Sequence, residues 1–122
     1  MGAEEEIFGF ADEFGPEKVV HFYQPRLGIK AILVVDNTAL GPAIGGVRMA
    51  PDVTTREIFR LGRAMTLKNS IAGIPYGGGK AGIRGDADIG NKDEAIRGFA
   101  AMLAPHSDYI PGPDMGTDEH CM

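Results

Sequence analysis

Two runs of apolar, β-branched and aromatic residues near the start of the chain predict a pair of β-strands. Residues 18–23 and 29–35 form these runs, and residues 24–28 between them contain the proline and glycine of a turn. The pattern predicts a β-hairpin. Before it, residues 4–14 place acids between apolar positions as a short amphipathic helix does, and Gly15-Pro16 should end that helix.

The middle of the chain contains the clearest helix signal. Thr54 and Glu57 form a capping-box pattern before residues 55 to about 70, where apolar residues recur at helical spacing: Ile58, Leu61, Met65 and Ala72. A second helix is predicted from about 92 to 104, with Asn91 as its N-cap and Pro105 after its end. Its predicted buried face consists of Ile96, Phe99, Ala100 and Leu103.

Glycine and proline interrupt the pattern between these elements. Residues 37–49 predict a loop that leads into a short strand at 47–49, and residues 73–79 contain too many breakers to be regular. Residues 80–84 and 109–110 are further predicted strands. Strands that alternate with helices indicate an α/β fold, and 122 residues suit one domain, residues 1–122.

Charge and composition exclude several classes of function. A net charge of −5 argues against a nucleic-acid partner. No apolar run approaches the roughly 18 residues that a membrane span needs. The first residues, MGAEEEIFGF, place acids where a secretory signal has positive charge. The single cysteine, Cys121, agrees with a reducing compartment, so we expect a cytoplasmic protein that does not bind membranes.

Basic residues are concentrated in one acid-free stretch, which suggests an anionic ligand. Between Glu57 and Asp86 the chain contains Arg60, Arg63, Lys68, Lys80 and Arg84. On a helical wheel Lys68 shares the face of Leu61 and Met65, so it is predicted to face the core with a partner such as a ligand carboxylate. The alternative is that Lys68 caps the helix C-terminus or extends to water.

Lys80 follows three glycines, where a small ligand can approach the backbone closely. Among other cations and partly desolvated, it would release a proton more readily than a solvated lysine and could act as a base. The alternative is a flexible glycine turn followed by a solvated cation. Gly77, Gly79 and Gly82 have the spacing of a dinucleotide fingerprint, but neither this motif nor a P-loop has the required sequence context.

Near the end of the chain, Asp114 lies in a proline- and glycine-rich turn that would hold its carboxylate in place. Alone, it would be an ordinary turn residue. His120 and Cys121 are adjacent, but no second pair of ligands accompanies them, so no metal site is predicted.

Four segments, in order and spacing, resemble the N-terminal domain of the glutamate/leucine/phenylalanine/valine dehydrogenases. They are residues 41–48, 65–69, 75–82 and 113–117, and the resemblance extends from about Ala11 to Met122. It implies a mixed β-sheet flanked by helices, which binds substrate and makes the contacts of a homo-oligomer. Members of the family continue into a Rossmann domain that this chain does not include. NAD or NADP would be bound largely by that domain.

The resemblance also implies roles for individual residues. Lys68 matches the lysine that binds the substrate α-carboxylate, Lys80 matches the catalytic lysine, and Asp114 matches the proton-transferring aspartate. The other predicted substrate-binding residues are Ile44, Gly45, Gly46, Met65 and Gly78. The implied activity is oxidative deamination of an L-amino acid to a 2-oxo acid with NAD(P), and the 122-residue segment alone is expected to be inactive.

One departure from the family concerns the substrate. Members that use glutamate resemble Gly-Pro-x-Lys-Gly-Gly here, and their lysine pairs with the side-chain carboxylate, whereas this chain has Ile44 at that position. Ile44 cannot pair with a carboxylate, so an aliphatic or aromatic amino acid is favoured. Glutamate remains an alternative substrate, and a non-catalytic assembly or regulatory module of the same fold is an alternative function.

Overall fold

A computed structural model of the chain describes residues 8–85 and 92–113. The strands are β1 (Lys18–Gln24), β2 (Ile29–Asn37), β3 (Ala43–Ala50), β4 (Gly77–Arg84) and β5 (Tyr109–Pro113), and the helices are α1 (Thr55–Ile71) and α2 (Lys92–Leu103). The five strands form one sheet in the order β1-β2-β4-β3-β5. β1, β2 and β4 pair antiparallel, and β3 is parallel to both β4 and β5. The predicted mixed sheet flanked by helices is confirmed.

The two helices lie on opposite faces of the sheet. The crossover from β3 through α1 leads to one neighbour, and the crossover from β4 through α2 leads back past β3 to β5. Both crossovers are expected to be right-handed, and they run in opposite directions across the sheet. Two such crossovers place their helices on opposite faces of the sheet. Ile58 of α1 packs with Val34 of β2, and Phe99 of α2 packs in a cluster that contains Leu33. β2 is therefore covered on both faces, which explains its unbroken apolar run.

The helix predictions agree closely with the structure. Thr54 Oγ1 accepts a hydrogen bond from the Glu57 N–H at 3.2 Å, which is the predicted cap of α1. On α2, Ala95 is buried instead of the predicted Ala100. The predicted N-cap Asn91 lies outside the described residues. In the described ranges 8–85 and 92–113, neither helix combines the length and apolar character that crossing a bilayer requires.

The predictions for the glycine-rich segments were wrong. β3 is a strand from Ala43 onwards, and β4 begins at Gly77 rather than at Lys80. A Cβ at Gly78 would overlap the backbone nitrogen of Thr66 on α1, and one at Gly45 would overlap the carbonyl oxygen of Gly79. The backbones approach so closely that only glycine fits, and strands without side chains have no hydrophobic pattern.

The predicted N-terminal helix is wrong in the part that the structure describes. Residues 4–7 lie outside that part, and helical geometry ends at Gly9. Asp12 and Gly15 instead form an isolated antiparallel bridge, and Asp12 Oδ1 accepts hydrogen bonds from the N–H groups of Phe14 and Gly15. The segment is a turn because the short aspartate side chain competes for these backbone donors.

Candidate active site

One face of β3 is only partly covered. Burial alternates along this strand, with Ala43, Val47 and Met49 buried in the cluster on the α2 side. The other face, made of Ile44, Gly46 and Arg48, is half-buried, because α1 lies mainly over β4 and β2. We call this α1-side face of β3, with these three residues, the β3 strip. Most of the predicted site residues lie on or beside it.

Lys80 lies on β4 beside the β3 strip. The register pairs Ile44 with Gly78 and Arg48 with Gly82, so Gly46 is level with Lys80 between them. The lysine is only 7% exposed. The alternative of a flexible turn with a solvated cation is therefore wrong, and the neighbour of Lys80 on β3, Gly46, has no side chain.

Backbone contact with α1 fixes the position of this part of β4. A Cβ at Gly62 on α1 would lie 3.6 Å from the Lys80 nitrogen, which is ordinary contact distance. About two turns further along, Asn69 Nδ2 donates a buried hydrogen bond of 2.7 Å to the Gly77 carbonyl. Helix and strand touch from Gly77 to Lys80, so the lysine cannot shift without α1.

Lys68 does not face the core, contrary to the prediction. The fully buried positions of α1 are Ile58, Gly62 and Asn69. Lys68 precedes Asn69 by one residue and is rotated about 100° from it, and its side chain is exposed. It lies in the last turn of α1, as the alternative proposed.

The exposed Lys68 is nevertheless on the side of α1 that overlooks the β3 strip. It shares a stripe of the helix with Glu57 and Met65. Glu57 accepts a hydrogen bond of 3.4 Å from Arg48 Nη1, which ties this stripe to β3. Lys68 and the half-buried Met65 therefore border the strip, on the opposite side from β5.

A buried ion cluster lies on the other side of α1. The Asp36 side chain, fully buried at the end of β2, accepts hydrogen bonds from Arg63 Nε at 2.8 Å, Arg63 Nη2 at 3.2 Å and Thr66 Oγ1 at 2.7 Å. Arg63 also donates to both carboxylate oxygens of Asp12, at 2.7 and 2.8 Å. These hydrogen bonds, first from Asp12 and then from Asp36, raise the pKa of Arg63. The Arg63 hydrogen bond lowers the pKa of Asp12 to about 2.

The basic stretch consequently does not form one anion site. Arg63 is neutralised by two carboxylates, and Arg84 Nε donates to the Val53 carbonyl at 3.0 Å near the far end of β4. Lys68 and Lys80 border the β3 strip, and Arg60 lines a pocket together with Arg48 at its far end. The sequence analysis did not single out Asp36. An acid at the end of a continuously apolar strand is nevertheless a signal, because a buried carboxylate is almost always paired with a cation or a hydrogen-bond donor.

Tyr109 is a second residue that sequence reasoning did not single out. It is 4% exposed, and its hydroxyl lies 2.7 Å from the Gly45 carbonyl oxygen and 2.9 Å from that of Gly46. The parallel pairing of β5 with β3 brings it there. Its hydroxyl therefore contacts the backbone of predicted substrate-binding residues. Asp114, which follows β5, lies outside the described residues.

The rejection of a dinucleotide fingerprint is confirmed. Gly77, Gly79 and Gly82 all lie within β4, with no helix opening from them. A Cβ at Gly82 would lie 2.6 Å from Val53 and 2.7 Å from Ile58 side-chain atoms, so this glycine makes room for packing. The described residues of this motif do not form a phosphate loop.

Known proteins share this sequence and fold. The family described as Glu/Leu/Phe/Val dehydrogenase, dimerisation domain, matches residues 16–122. Phenylalanine dehydrogenase of Thermoactinomyces intermedius is 36% identical over 118 residues, 93% of this chain and 32% of that protein. The NADP(+)-dependent glutamate dehydrogenase of Pyrobaculum calidifontis is 44% identical over 95 residues, 73% of this chain and 23% of that protein.

A solved structure shares the fold along most of the chain. L-tryptophan dehydrogenase from Nostoc punctiforme superposes with a TM-score of 0.85 and 31% identity, over 94% of this chain and 36% of that one. These relatives are amino-acid dehydrogenases, and this chain spans about a third of the length of the phenylalanine dehydrogenase. The chain belongs to the Glu/Leu/Phe/Val dehydrogenase family, whose dimerisation domain it matches.

Proposed function

We propose that this chain is the substrate-binding and subunit-contact part of an NAD(P)-dependent dehydrogenase that oxidatively deaminates an L-amino acid to its 2-oxo acid. The observation that carries the proposal is a buried lysine, Lys80, level with a glycine on a half-open face of the sheet. A lysine with little access to water, next to a residue without a side chain, suits proton transfer at a substrate.

Each lysine then has its own task. The exposed ammonium of Lys68, at the rim of the β3 strip, would hold the substrate α-carboxylate by a charge-assisted hydrogen bond. Once the Cα–N bond has become an imine, a water must add to its carbon, and ammonia must leave. Lys80 would accept a proton from that water and, as an ammonium, stabilise the oxygen that forms. Asp114 would carry protons to and from the nitrogen.

The described residues do not fit a nicotinamide nucleotide site. The glycines of β4 lie within the sheet, where Gly78 and Gly82 pack against α1 and the loop before it, and none of them opens a helix. The nucleotide would act as hydride acceptor when it is bound elsewhere in the enzyme. The tasks assigned to this chain are therefore restricted to binding the amino acid and moving protons.

Ile44 supports a substrate with an aliphatic or aromatic side chain. It lies on the β3 strip beside Gly78 and is half-buried, so it offers an apolar contact. A glutamate side chain placed against Ile44 would lose hydration without gaining a cation there. Glutamate should then lose on the order of 10²-fold in kcat/KM against leucine or valine.

Glutamate is the second candidate substrate. The glutamate dehydrogenase of P. calidifontis is 44% identical, more than the 36% of the phenylalanine dehydrogenase, although over a shorter segment. In that case a cation outside the described residues must pair with the second carboxylate. The two candidates therefore differ in how Ile44→Lys acts: it should improve kcat/KM for glutamate only if that cation is missing.

Self-association is part of the proposal. The matching family model is a dimerisation domain, and β1 is an edge strand of the described sheet. Edge strands offer unpaired backbone groups to a second copy. Residues 32–35 are buried in β2 between β1 and β4, so they cannot contribute to such a contact.

The test of the function joins this chain to the nucleotide-binding domain of the T. intermedius phenylalanine dehydrogenase. We would measure kcat/KM for leucine, valine, phenylalanine and glutamate, and the 2-oxo acid formed. Lys80→Ala should abolish turnover of every substrate, because it removes the group that activates water. Lys30→Ala is the matched control, since Lys30 is an exposed lysine on β2. Turnover that survives Lys80→Ala, or a preference for glutamate, would contradict the respective part of the proposal.

A further inference from the structure

Two successive carbonyl groups of β3 converge on one atom. The Tyr109 hydroxyl lies within hydrogen-bond distance of both Gly45 O and Gly46 O, at 2.7 and 2.9 Å. In a regular strand, successive carbonyls point to opposite sides, towards the two neighbouring strands. The convergence means that the peptide units of Gly45 and Gly46 are rotated out of regular strand geometry. One hydroxyl hydrogen is shared between the two acceptors.

This rotation determines where the backbone donor of Gly46 points. In a planar trans peptide, the N–H of Gly46 is on the opposite side from the carbonyl of Gly45. Because that carbonyl points to Tyr109, the Gly46 N–H points away from the Tyr109 hydroxyl. Gly46 belongs to the β3 strip and is level with Lys80.

We infer that Tyr109 is a positioning residue for the substrate site: its hydroxyl holds the Gly45–Gly46 backbone so that the Gly46 N–H is available to an anionic group of the substrate. This inference rests on the proposed function. The substrate class is a 2-oxo or 2-amino carboxylate, whose negative charge suits a backbone N–H near Lys68 and Lys80. Tyr109 acts through the backbone and does not itself need to touch the substrate.

The hydroxyl and the ring of Tyr109 have separable tasks. The ring packs in the core on the α2 side, where its Cδ1 lies 3.1 Å from the place that a Cβ of Gly79 would occupy. Tyr109→Phe keeps this packing and removes the hydroxyl, and with it the hydrogen bonds to the two carbonyls. The substitution therefore tests orientation of the glycines with little change of volume.

The experiment uses the ¹⁵N-labelled 122-residue chain, titrated with 4-methyl-2-oxopentanoate and followed by amide NMR shifts. The unmodified chain should bind, with a shift at the Gly46 amide. Tyr109→Phe should weaken binding by about 5-fold or more, as expected for loss of one oriented donor. Without ligand, the amide chemical shifts of Tyr109→Phe should differ from those of the unmodified chain only for residues around Gly45 and Gly46. Tyr23→Phe is the matched control, because Tyr23 is 65% exposed on β1, and it should bind as the unmodified chain does.

Each outcome has a distinct meaning. Equal binding by the chain and by Tyr109→Phe overturns the role of Tyr109 and leaves the proposed function intact. Weakened binding with shift changes throughout the sheet also overturns it, because the hydroxyl would then support general packing. If the unmodified chain and the control do not bind the 2-oxo acid, the proposed substrate site is wrong and this inference fails with it.

Discussion

The buried pair of Asp36 and Arg63 allows a quantitative prediction of stability. Arg63→Met keeps an unbranched side chain on α1 but removes both guanidinium hydrogen bonds to the Asp36 carboxylate. The hydrogen bond that Thr66 Oγ1 donates to this carboxylate, at 2.7 Å, remains. The carboxylate itself is fully buried, so bulk water does not replace the lost partner.

The size of the effect follows from the cost of an uncompensated buried charge. Removing one partner of a buried ion pair costs about 3–5 kcal/mol. We expect Arg63→Met to lower the free energy of unfolding by about 3 kcal/mol or more at pH 7.

Urea unfolding followed by far-UV circular dichroism measures this difference, since the chain has no tryptophan for fluorescence. The control is Arg60→Met, the same substitution at an exposed position one turn earlier on α1. It should change the free energy of unfolding by less than about 0.5 kcal/mol. A loss for Arg63→Met that is similar to that of the control would refute the assignment of an uncompensated charge.

The remaining predictions use the same chain. Because the Arg63 hydrogen bond lowers the pKa of Asp12 from 3.8 to about 2, the pair stabilises the fold above about pH 4, and this contribution is lost as the pH falls through 2. Urea unfolding of the chain and of Asp12→Asn should therefore differ at pH 5 and coincide below pH 2. Gly78→Ala should lower the thermal midpoint far more than Gly9→Ala, since its Cβ would overlap the backbone of α1 while Gly9 has open space. The chain alone should form no NAD(P)H from any amino acid in a spectrophotometric assay, because hydride transfer requires a positioned nicotinamide. Light scattering should detect self-association at tens of micromolar, roughly the range of weak interfaces, and a monomer alone would count against the β1 edge as a contact.

Local signals in the sequence were sufficient for elements with strong side-chain patterns. The capping box at Thr54 and Glu57 predicted the start of α1 at the correct residue. The apolar run of β2 and its turn were predicted within two residues, because the strand is buried on both faces. In these elements, side chains make the contacts that determine the structure.

Glycine concealed the elements that form the site. At Gly45, Gly77 and Gly78, the structure requires the absence of a side chain. In the sequence, however, glycines are interpreted as residues that interrupt strands and helices. The same effect caused the error at Lys68. The buried residues of α1 are Ile58, Gly62 and Asn69, of which only Ile58 has an apolar side chain. Leu61 and Met65 lie towards β3.

Long-range polar contacts were also beyond sequence reasoning. Asp36 and Arg63 are far apart in the chain, and nothing local identifies them as partners. Tyr109 was read only as a strand residue, because its hydrogen bonds depend on β5 pairing with β3 across a helix. Lys68 and Lys80 were singled out from the basic stretch and the glycines before Lys80, whereas Ile44 and the roles of all three came from the family resemblance, and these roles stay predictions.

The two attachments of α1 have a consequence for catalysis. Near its C-terminal end, Asn69 donates a hydrogen bond to the Gly77 carbonyl. At its middle, Arg63 and Thr66 donate hydrogen bonds to Asp36. Between these points the helix touches β4 through backbone, so the spacing between Lys68 on α1 and Lys80 on β4 does not depend on flexible side chains. Displacement of a reacting group by about 1 Å can cost on the order of 10²-fold in rate. A weakened Asp36 cluster should therefore reduce kcat in the joined enzyme even at temperatures where the fold persists, although none of its members borders the β3 strip.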